Sequence, residues 1–336
     1  MGELFMIRVA INGFGRIGRM VYRAGKDDDS IEFVAVNDLM DTETLAYLLE
    51  YDTVHGTLDE DVDYDDETLY VGDDELQVTA KKQPGNLSWD ELGIDVVVES
   101  TGLFRTEDKA SPHLDAGANK VLMSAPSKGG NVFTVVKGVN EHDYGGEKIV
   151  SNASCTTNSL APLVKVLDDN FGVEKGLMTT THAYTGSQNM IDGPNKDLRR
   201  GRSAPNNIVP TTTGAAIAVT EVLPHLEGKL DGMAMRVPVP DGSITDLTVE
   251  VSEDVTVEDV NDLFKDVSNH HLSDVLEYTE DPVVSSDILG NPHSSIVDGE
   301  NTRVIDGNMV KLLAWYDNEW GYSNRMIDVI KLIHDA

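Results

Sequence analysis

The one cysteine of the chain lies in a polar segment whose residue types suit nucleophilic chemistry. The segment runs Ser151-Asn-Ala-Ser-Cys155-Thr-Thr-Asn158, between a short apolar strand and a predicted helix. Cys155 is therefore expected at a helix N-terminus, a position that lowers the pKa of a thiol, and a neighbouring histidine would lower it further. A structural cysteine usually has apolar neighbours, which Cys155 lacks. The pattern favours a reactive thiol over a structural one.

A candidate general base follows about one strand later. Thr179-Thr-Thr-His182-Ala-Tyr-Thr185 ends a predicted strand with polar residues. His182 would accept a proton from the substrate and hold the thiolate. A purely structural histidine is the alternative, because spacing along the chain does not itself bring His182 to Cys155.

Three further segments are typical of anion sites. Leu198-Arg-Arg200-Gly-Arg202 clusters cations in a chain that has few of them, and Pro210-Thr-Thr-Thr213-Gly214 precedes an apolar helical run. The free N–H groups at the start of such a helix bind phosphate. Arg236 stands inside an otherwise apolar strand, where a charge is costly unless it is paired. Its partner is either a salt bridge or an anionic ligand.

A glycine-rich turn near the N-terminus predicts dinucleotide binding. Gly13-Phe-Gly15-Arg-Ile-Gly18 follows an apolar strand and opens a helix, and Asp38 ends the next strand. In this fingerprint the first glycine permits the tight turn, the second lets the backbone approach the pyrophosphate, and the third lets helix and strand pack closely. A carboxylate at Asp38 would accept hydrogen bonds from ribose hydroxyls and repel a 2′-phosphate, which favours NAD over NADP. A structural turn with Asp38 as a loop cap is the alternative.

Elements that would position these residues can be predicted from apolar periodicity. Short apolar strands alternate with helical segments up to about residue 150, which indicates a parallel sheet covered on both faces. Residues 59–75 hold ten acidic residues and no basic one, and they are interpreted as a solvated edge hairpin, with a functional acidic patch as the alternative. Beyond Cys155 the strands are longer and less regularly separated by helices. The predicted fold class is α/β: a Rossmann-type doubly wound parallel sheet plus an α+β catalytic domain with a largely antiparallel sheet.

Composition narrows the classes of partner. The chain of 336 residues has 26 Lys plus Arg against 59 Asp plus Glu, a formal net charge of −33. Nucleic acid and anionic membranes attract basic patches, so neither is expected as a partner. The charge suggests a salt-rich cytoplasm, in which screening relieves the repulsion. One cysteine excludes an internal disulfide, no metal-binding motif is found, and neither a signal peptide nor a membrane span is predicted.

Taken together, the motifs resemble the phosphorylating glyceraldehyde-3-phosphate dehydrogenases over essentially the whole chain. The segments that carry the resemblance are Ile11–Arg19, Ser100–Gly102, Ser151–Asn158, His182–Thr185, Pro210–Ala216 and Trp315–Ser323. The cysteine segment and Trp315-Tyr-Asp-Asn-Glu-Trp-Gly-Tyr-Ser323 are highly specific to that family.

The resemblance implies a role for each matching residue. Cys155 would be the nucleophile and His182 the general base, with no metal. Asn318 would fix the nicotinamide amide, and the other residues implied at NAD are Asn12, Gly13, Gly15, Arg16, Ile17, Gly18, Asp38, Lys82, Thr101, Gly102, Ser124 and Tyr322. The residues implied at the phosphates of glyceraldehyde 3-phosphate and of inorganic phosphate are Ser154, Thr156, Thr185, Arg200, Thr213, Gly214 and Arg236.

The resemblance also implies the organisation of the chain. An NAD-binding domain would span residues 1–154 and a catalytic domain residues 155–318, with a C-terminal helix at about 319–336 returning to the first domain. Family members are usually homotetramers. This sequence departs from the family at Lys82, where arginine often lies against the adenine. Lysine neither stacks nor bonds in a bidentate manner as arginine does, so some tolerance of NADP would be left.

The implied reaction is the oxidation of glyceraldehyde 3-phosphate to 1,3-bisphosphoglycerate through a thiohemiacetal and a thioester on Cys155. Erythrose-4-phosphate dehydrogenase, in which water resolves the thioester, is the nearest alternative. A cofactor-binding regulatory or RNA-binding protein without catalysis is the other. Retention of Cys155, His182, Arg200 and Arg236 speaks against a non-catalytic protein, and the net charge of −33 speaks against RNA.

Overall fold

A computed structural model describes residues 6–335 of the chain, which form two compact units. Within these residues the first unit comprises 6–135, 141–153 and 323–335, and the second comprises 136–140 and 154–322. The N-terminal residues 1–5, on which the expectation about a signal peptide mainly depends, and residue 336 lie outside the described part. Among the described residues, no helix has both the length and the apolar character needed to cross a membrane.

The first unit is built on a nine-stranded sheet of order β3-β4-β5-β2-β1-β6-β7-β9-β8. Its strands are β1 (Ile7–Asn12), β2 (Ile31–Asn37), β3 (Val62–Tyr64), β4 (Thr68–Val71), β5 (Asp74–Thr79), β6 (Val96–Glu99), β7 (Lys120–Met123), β8 (Phe133–Thr134) and β9 (Ile149–Ser151). Its first five helices are α1 (Arg16–Gly25), α2 (Thr42–Glu50), α3 (Trp89–Leu92), α4 (Glu107–Ala110) and α5 (Pro112–Asp115). From β5 to β8 neighbouring strands run parallel.

The central strands of this sheet are apolar on both faces. All four residues of β6 are buried, and β1 and β2 are buried at nearly every position. One side of the sheet packs into a core that includes Ala10, Val97 and Trp89. Burial on both faces is what a parallel sheet covered by connecting segments requires. Glu99, at the end of β6, is the charged exception in this apolar strand.

The acidic segment forms the edge of the same sheet. Strands β3 and β4 make the predicted antiparallel hairpin, and β4 continues antiparallel to β5. Leu69 and Leu76 are fully buried, whereas the acidic residues between them are largely exposed. The alternation of buried apolar and exposed charged residues fits a half-solvated edge ribbon, which charge protects from pairing with other strands.

The second unit contains an eight-stranded sheet of order β11-β12-β10-β13-β17-β15-β14, with β16 paired to β17. Its strands are β10 (Val173–Ala183), β11 (Val209–Thr212), β12 (Leu230–Val237), β13 (Ser243–Val251), β14 (Leu276–Thr279), β15 (Ser295–Asp298), β16 (Arg303–Ile305) and β17 (Met309–Tyr316). Its helices are α6 (Cys155–Phe171), α7 (Ala215–Val222) and α8 (Val257–Asn269). Only β10–β12 and β14–β15 pair in parallel. The predicted fold class, a parallel doubly wound sheet followed by a largely antiparallel one, is confirmed.

The last helix, α9 (Trp320–His334), extends from the second unit into the first. From Ser323 onward it belongs to the first unit. Gly25 ends α1 where an added Cβ would lie 2.6 Å from the Ile327 side chain, so α1 and α9 meet closely there. Lys331 forms an ion pair with Asp28 one turn farther along.

Candidate active site

The cysteine is the first residue of a capped helix. Strand β9 ends at Ser151, and Ala153 takes a positive φ of 52° before Ser154. Ser154 is the N-cap of α6, and its hydroxyl accepts a hydrogen bond from the N–H of Thr157 at 3.1 Å. A non-glycine residue with positive φ is strained and persists only where the surrounding structure holds it, as is common at functional sites. The cap and the strained residue together fix where the Cys155 side chain begins.

His182 faces the thiol from the end of β10. Its Nε2 atom lies 3.5 Å from Sγ of Cys155, and its Nδ1 atom lies 2.7 Å from the carbonyl oxygen of Ala183. In the parallel pairing of β10 with β12, His182 is opposite Arg236, whose Nη1 donates to the same carbonyl at 2.9 Å. Nη1 of Arg236 also lies 2.9 Å from Nδ1 of His182, and because a carbonyl only accepts and a guanidinium only donates, the two contacts at Nδ1 call for opposite tautomers. The contact with the carbonyl is the shorter of the two, and the tautomer with the proton on Nδ1 satisfies it. That tautomer presents the Nε2 lone pair to the thiol.

The electrostatics of the pair describe a neutral thiol beside a neutral imidazole. Burial, together with the nearby charge of Arg236, lowers the pKa of His182 to about 3. Burial also raises the pKa of the Cys155 thiol above its ordinary value, against the opposing effect of Arg236. The expected lowering of the thiol pKa is therefore not found, because desolvation outweighs the helix terminus and the cation. The thiolate must form by proton transfer, for which Nε2 is the nearby acceptor.

Tyr316 completes this cluster and was not singled out from the sequence. Its hydroxyl lies 3.0 Å from Oγ1 of Thr156 and 2.8 Å from Oγ1 of Thr180, and its ring meets the His182 ring edge to face. The residue is fully buried at the end of β17. Its segment, Trp315–Ser323, was recognised for its family resemblance, but an alternating strand gives no separate signal for a tyrosine. The Thr156 hydroxyl, one of the predicted anion ligands, is thereby in contact with Tyr316.

The remaining anion-site candidates surround strand β11. Nε of Arg200 donates to Oγ1 of Thr211 at 3.0 Å, and Arg200 also lies 3.5 Å from a carboxylate oxygen of Asp197. Gly214, which follows Thr213, is the N-cap of α7, and the Thr213 hydroxyl accepts a hydrogen bond from the N–H of Ala215 at 3.2 Å. The charge of Arg200 acts on Arg236, whose pKa is lowered first by burial and further by Arg200. Two guanidinium groups of like charge are thus held near each other, as an anionic ligand would require.

Thr185 and Asn318 lie near the same strands. The Thr185 hydroxyl contacts the Ser187 hydroxyl at 2.9 Å in the loop after β10. Asn318, just beyond β17, accepts a hydrogen bond from the hydroxyl of Ser243, which also accepts from the N–H of Ala183 at 3.1 Å. Since Ser243 fixes the oxygen end of the Asn318 amide, its nitrogen end points to the other side. Ser243 is a positioning group that the sequence did not indicate.

The glycine-rich turn in the first unit has the geometry that dinucleotide binding requires. Gly13 has a φ of 95°, a conformation that glycine adopts without strain. Gly15 caps α1 without a side-chain hydrogen bond, the first turn of α1 has no acidic residue, and no atom lies within 4 Å of where a Cβ would stand. At Gly18 a Cβ would lie 2.2 Å from the Gly13 carbonyl oxygen. The turn therefore leaves room at Gly15 for a pyrophosphate and close packing at Gly18.

Asp38 and Arg16 are both held at this turn. Asp38 accepts hydrogen bonds from the N–H of Phe14 at 2.8 Å and from the N–H of Met40 at 3.1 Å. Arg16, the first residue of α1, forms an ion pair with the buried side chain of Asp52. Burial alone would raise the pKa of Asp52, but N–H donors from His55 and Val54 and the Arg16 guanidinium lower it to about 2. Asp52, a residue without a distinguishing sequence signal, thus orients a predicted cofactor ligand.

Other predicted cofactor residues differ in how accessible they are. Lys82 and Gly102 are exposed, and Ile17, Thr101 and Ser124 are partly exposed. Asn12 and Tyr322 are buried. The side chain of Asn12 hydrogen-bonds to Glu99 and Asn37 inside the unit, so a contact of Asn12 with a cofactor would use its backbone.

Each unit assembles its own part of the predicted set. The second unit brings Cys155, His182 and Arg236 into direct contact and holds Arg200 nearby. The first unit gathers the glycine turn, Asp38 and Thr101 at the carboxyl ends of β1, β2 and β6. That edge of a parallel sheet is where open α/β sheets bind ligands.

Comparison with known families assigns both parts of the chain. The model described as "Glyceraldehyde 3-phosphate dehydrogenase, NAD binding domain" matches residues 7–107. The model described as "Glyceraldehyde 3-phosphate dehydrogenase, C-terminal domain" matches residues 154–318.

Full-length relatives agree with these matches. The chain is 56% identical over 330 residues to the glyceraldehyde-3-phosphate dehydrogenase of Haloarcula vallismortis, covering 97% of this chain and 98% of that protein. It is 53% identical over 327 residues to glyceraldehyde-3-phosphate dehydrogenase 2 of Bacillus subtilis, covering 97% and 96% respectively. It is 55% identical over 337 residues to the glyceraldehyde-3-phosphate dehydrogenase of Mycolicibacterium smegmatis, covering 97% and 98%.

Proposed function

The chain belongs to the glyceraldehyde-3-phosphate dehydrogenase family, and we propose that Cys155 and His182 carry its reaction. The enzyme oxidises glyceraldehyde 3-phosphate with NAD and phosphate to 1,3-bisphosphoglycerate. The observation that carries the residue assignment is the 3.5 Å contact between Sγ of Cys155 and Nε2 of His182, with Arg236 beside both.

The first step forms a bond between the Cys155 sulfur and the aldehyde carbon. His182 accepts the thiol proton at Nε2, the thiolate attacks, and the proton passes to the former carbonyl oxygen, which gives a thiohemiacetal. The pKa of His182, lowered to about 3 by burial and Arg236, keeps the ring neutral at neutral pH, so it carries no additional proton before the reaction begins.

The second step needs a base at the same place. His182 accepts the proton of the thiohemiacetal hydroxyl as the C–H bond breaks, and a thioester remains on Cys155. When bound, NAD supplies the acceptor for the hydride of that C–H bond. A phosphate oxygen then attacks the thioester carbon, and the C–S bond breaks to give the acyl phosphate and free Cys155.

The anions of substrate and phosphate would be held by the cationic side of the site. Arg200 and Arg236 supply charge, and the start of α7 after Gly214 supplies N–H groups. Thr213, Thr185 and the helix start at Ser154 and Thr156 complete the proposed set. Holding the phosphoryl end fixes the aldehyde near the sulfur, which converts binding energy into orientation.

The fit of the first unit to NAD rests on the glycine turn. The backbone at Gly13, Gly15 and Gly18 would hold the pyrophosphate at the start of α1, and Asp38 would hold the ribose hydroxyls. The additional NAD contacts that we propose are Asn12, Arg16, Ile17, Lys82, Thr101, Gly102, Ser124, Asn318 and Tyr322.

The nucleophile is tested with Cys155→Ser. This variant should bind NAD as the wild type does in calorimetric titration and lose nearly all NADH formation from glyceraldehyde 3-phosphate. Substantial remaining turnover would refute Cys155 as nucleophile. NADH formation by the wild type is also measured with and without inorganic phosphate, because the hydrolytic reaction of erythrose-4-phosphate dehydrogenase does not require phosphate. Absence of turnover under both conditions would favour a regulatory protein.

We further propose a homotetramer in the cytoplasm. Buried and partly exposed residues alternate along β13, so one face of the second sheet is partly open. Leu177 of the neighbouring strand β10 lies opposite Thr248 on that face and is 68% exposed. Met233 and Met309 are also exposed on strands of this sheet, beside ion pairs such as Lys311 with Asp246. Exposed apolar side chains within a charged rim are typical of subunit interfaces.

Sedimentation measures this assembly directly. Leu177→Glu should lower the oligomeric state, whereas Val284→Glu, at another exposed apolar residue, should leave it unchanged. A tetramer that survives Leu177→Glu would exclude this face as an interface. Cell fractionation that recovers the protein outside the cytosolic fraction would contradict the proposed compartment.

A further inference from the structure

A buried carboxylate lies directly beneath the predicted dinucleotide turn. Glu99 is 2% exposed, and its two oxygens accept hydrogen bonds from three neighbours. Oε1 accepts from both the N–H of Thr101 at 2.9 Å and the Thr101 hydroxyl. Oε2 lies 2.5 Å from Nδ2 of Asn12 and 3.1 Å from Nε2 of His113.

The direction of each hydrogen bond around His113 follows from one group that can only donate. The indole Nε1–H of Trp89 lies 3.0 Å from Nδ1 of His113. Since an indole is a donor only, Nδ1 must accept, and the ring proton is on Nε2. His113 is completely buried, and its Nε2–H donates to Glu99.

A second group that can only donate determines how the side-chain amides of Asn37 and Asn12 are oriented. The backbone N–H of Lys81 donates to Oδ1 of Asn37 at 2.8 Å. Nδ2 of Asn37 then donates to Oδ1 of Asn12 at 2.7 Å, which leaves Nδ2 of Asn12 to donate to Glu99. Both oxygens of Glu99 thus face donors, and each of these donors has its direction fixed by its other contacts or by the backbone.

This network joins three segments that the family resemblance places at NAD. Asn12 precedes Gly13 of the glycine turn, Thr101 follows β6, and Lys81 precedes Lys82. The Thr101 hydroxyl also accepts from the N–H of Leu103 at 3.1 Å, so the same carboxylate shapes the loop beyond it. Such a connection holds the loops in one geometry before a ligand arrives, which reduces the ordering cost of binding.

We propose that Glu99 is a positioning residue for the dinucleotide, fixing the turn after β1 relative to the loop after β6 through Asn12 and Thr101. The inference rests on the proposed NAD site. Glu99 itself touches no cofactor, so its effect should appear in NAD affinity and not in the chemistry at Cys155.

Glu99→Gln is the sharpest perturbation, because it keeps the shape of the side chain and replaces one acceptor oxygen by an NH2 group that donates. An amide nitrogen in place of Oε1 would face the N–H of Thr101, which cannot reverse. In place of Oε2 it would face Asn12 and His113, whose donors are fixed by Lys81 and Trp89. Each orientation leaves a buried donor opposite a donor. We expect the Kd for NAD to rise roughly tenfold, or about 1.4 kcal/mol.

Trp89→Phe is the matched control within the same network. It removes the indole donor to His113 but keeps the bonds of Glu99 to Thr101 and Asn12. The variant should unfold at lower urea concentration than the wild type while its Kd for NAD stays within about twofold. A change in stability is thereby separated from a change in loop position.

The experiment measures the Kd for NAD by calorimetry, together with KM and kcat at saturating NAD. Glu99→Gln should raise the Kd and KM for NAD and leave kcat and the KM for glyceraldehyde 3-phosphate nearly unchanged. A wild-type Kd in Glu99→Gln, or an equal rise in Trp89→Phe, would overturn the proposal. If Glu99→Gln does not fold, Glu99→Asp withdraws the carboxylate from Thr101 and should raise the Kd several-fold, with an unchanged Kd overturning the proposal. A wild type that fails to bind NAD would instead refute the proposed cofactor site.

Discussion

Replacing Gly18 by alanine tests why the dinucleotide turn needs three glycines. An added Cβ at Gly18 would lie 2.2 Å from the carbonyl oxygen of Gly13, and 3.1 Å from side-chain atoms of Ile11 and Ser100. The closest atom belongs to the backbone, so relief requires a shift of the turn itself. Inserting one methyl group into such a packed place costs about 1–3 kcal/mol. Alanine in place of glycine inside a helix returns about 0.5–1 kcal/mol, so we expect a net loss of about 1–2 kcal/mol.

Gly15→Ala is the matched control, because the same methyl group enters open space. No atom lies within 4 Å of the Gly15 Cβ position, and the residue has a φ of −71° that alanine adopts freely. The free energy of unfolding should therefore stay within about 0.5 kcal/mol of the wild type or rise slightly. NAD affinity should nevertheless fall, because the methyl group occupies the space proposed for the pyrophosphate.

Urea unfolding followed by circular dichroism and calorimetric titration with NAD measure the two effects. Gly18→Ala should lower both the unfolding midpoint and NAD affinity, whereas Gly15→Ala should lower only NAD affinity. Equal unfolding midpoints for Gly18→Ala and the wild type would show that the close approach to Gly13 carries no energetic weight. Wild-type NAD affinity in Gly15→Ala would refute the placement of the pyrophosphate.

Four further outcomes are expected. Asp52→Asn should lower the free energy of unfolding by about 1–2 kcal/mol at neutral pH, measured in urea, and an unchanged midpoint would contradict this. The reason is that the lowered pKa of Asp52 adds stability above about pH 4, which disappears as the pH falls toward 2. The pKa of His182 is lowered to about 3 by burial and Arg236, so His182 binds fewer protons in the folded than in the unfolded state. The free energy of unfolding should therefore fall by about 2 kcal/mol as the pH drops from about 7 to about 5, and His182→Asn should not show this loss. Arg236→Leu should raise the Cys155 pKa further, moving the pH profile of thiol alkylation upward; a downward shift would refute the electrostatic role of Arg236. Raising KCl from about 0.1 M to about 1 M should increase stability, because screening relieves the net charge of −33, and maximal stability at low salt would count against salt adaptation.

The fold was accessible from the sequence wherever periodicity is strong. In helix α2 (Thr42–Glu50), Leu45 and Leu49 are buried at helical spacing, and along β17 (Met309–Tyr316) buried residues alternate with more exposed ones. Strand β5 was missed, because Asp74–Thr79 begins with two acidic residues and contains only two apolar residues, Leu76 and Val78. Strand β11 was not predicted, because Pro210 reduces strand propensity and is tolerated only at a sheet edge, where β11 lies.

The site was predictable as a set of residue types and not as a geometry. The chemistry of Cys155, His182 and Arg236 could be inferred singly, but only the register of β10 with β12 sets the last two side by side. The prediction that the pKa of the Cys155 thiol is lowered was wrong, because desolvation raises it and depends on neighbours that are distant in sequence. Glu99 could not be recognised from the sequence, because one acidic residue at the end of an apolar run usually marks only the end of the strand.

The path of α9 has a consequence for how the protein is made. Residues from Ser323 onward complete the first unit, yet about half of the chain, the second unit, is synthesised before them. At ribosomal rates that interval is on the order of ten to thirty seconds. During it, the surface of α1 around Gly25 that meets Ile327 lacks its cover. The nascent first unit is therefore the form most open to chaperones, and deletion of the segment after Ser323 would make that transient state permanent.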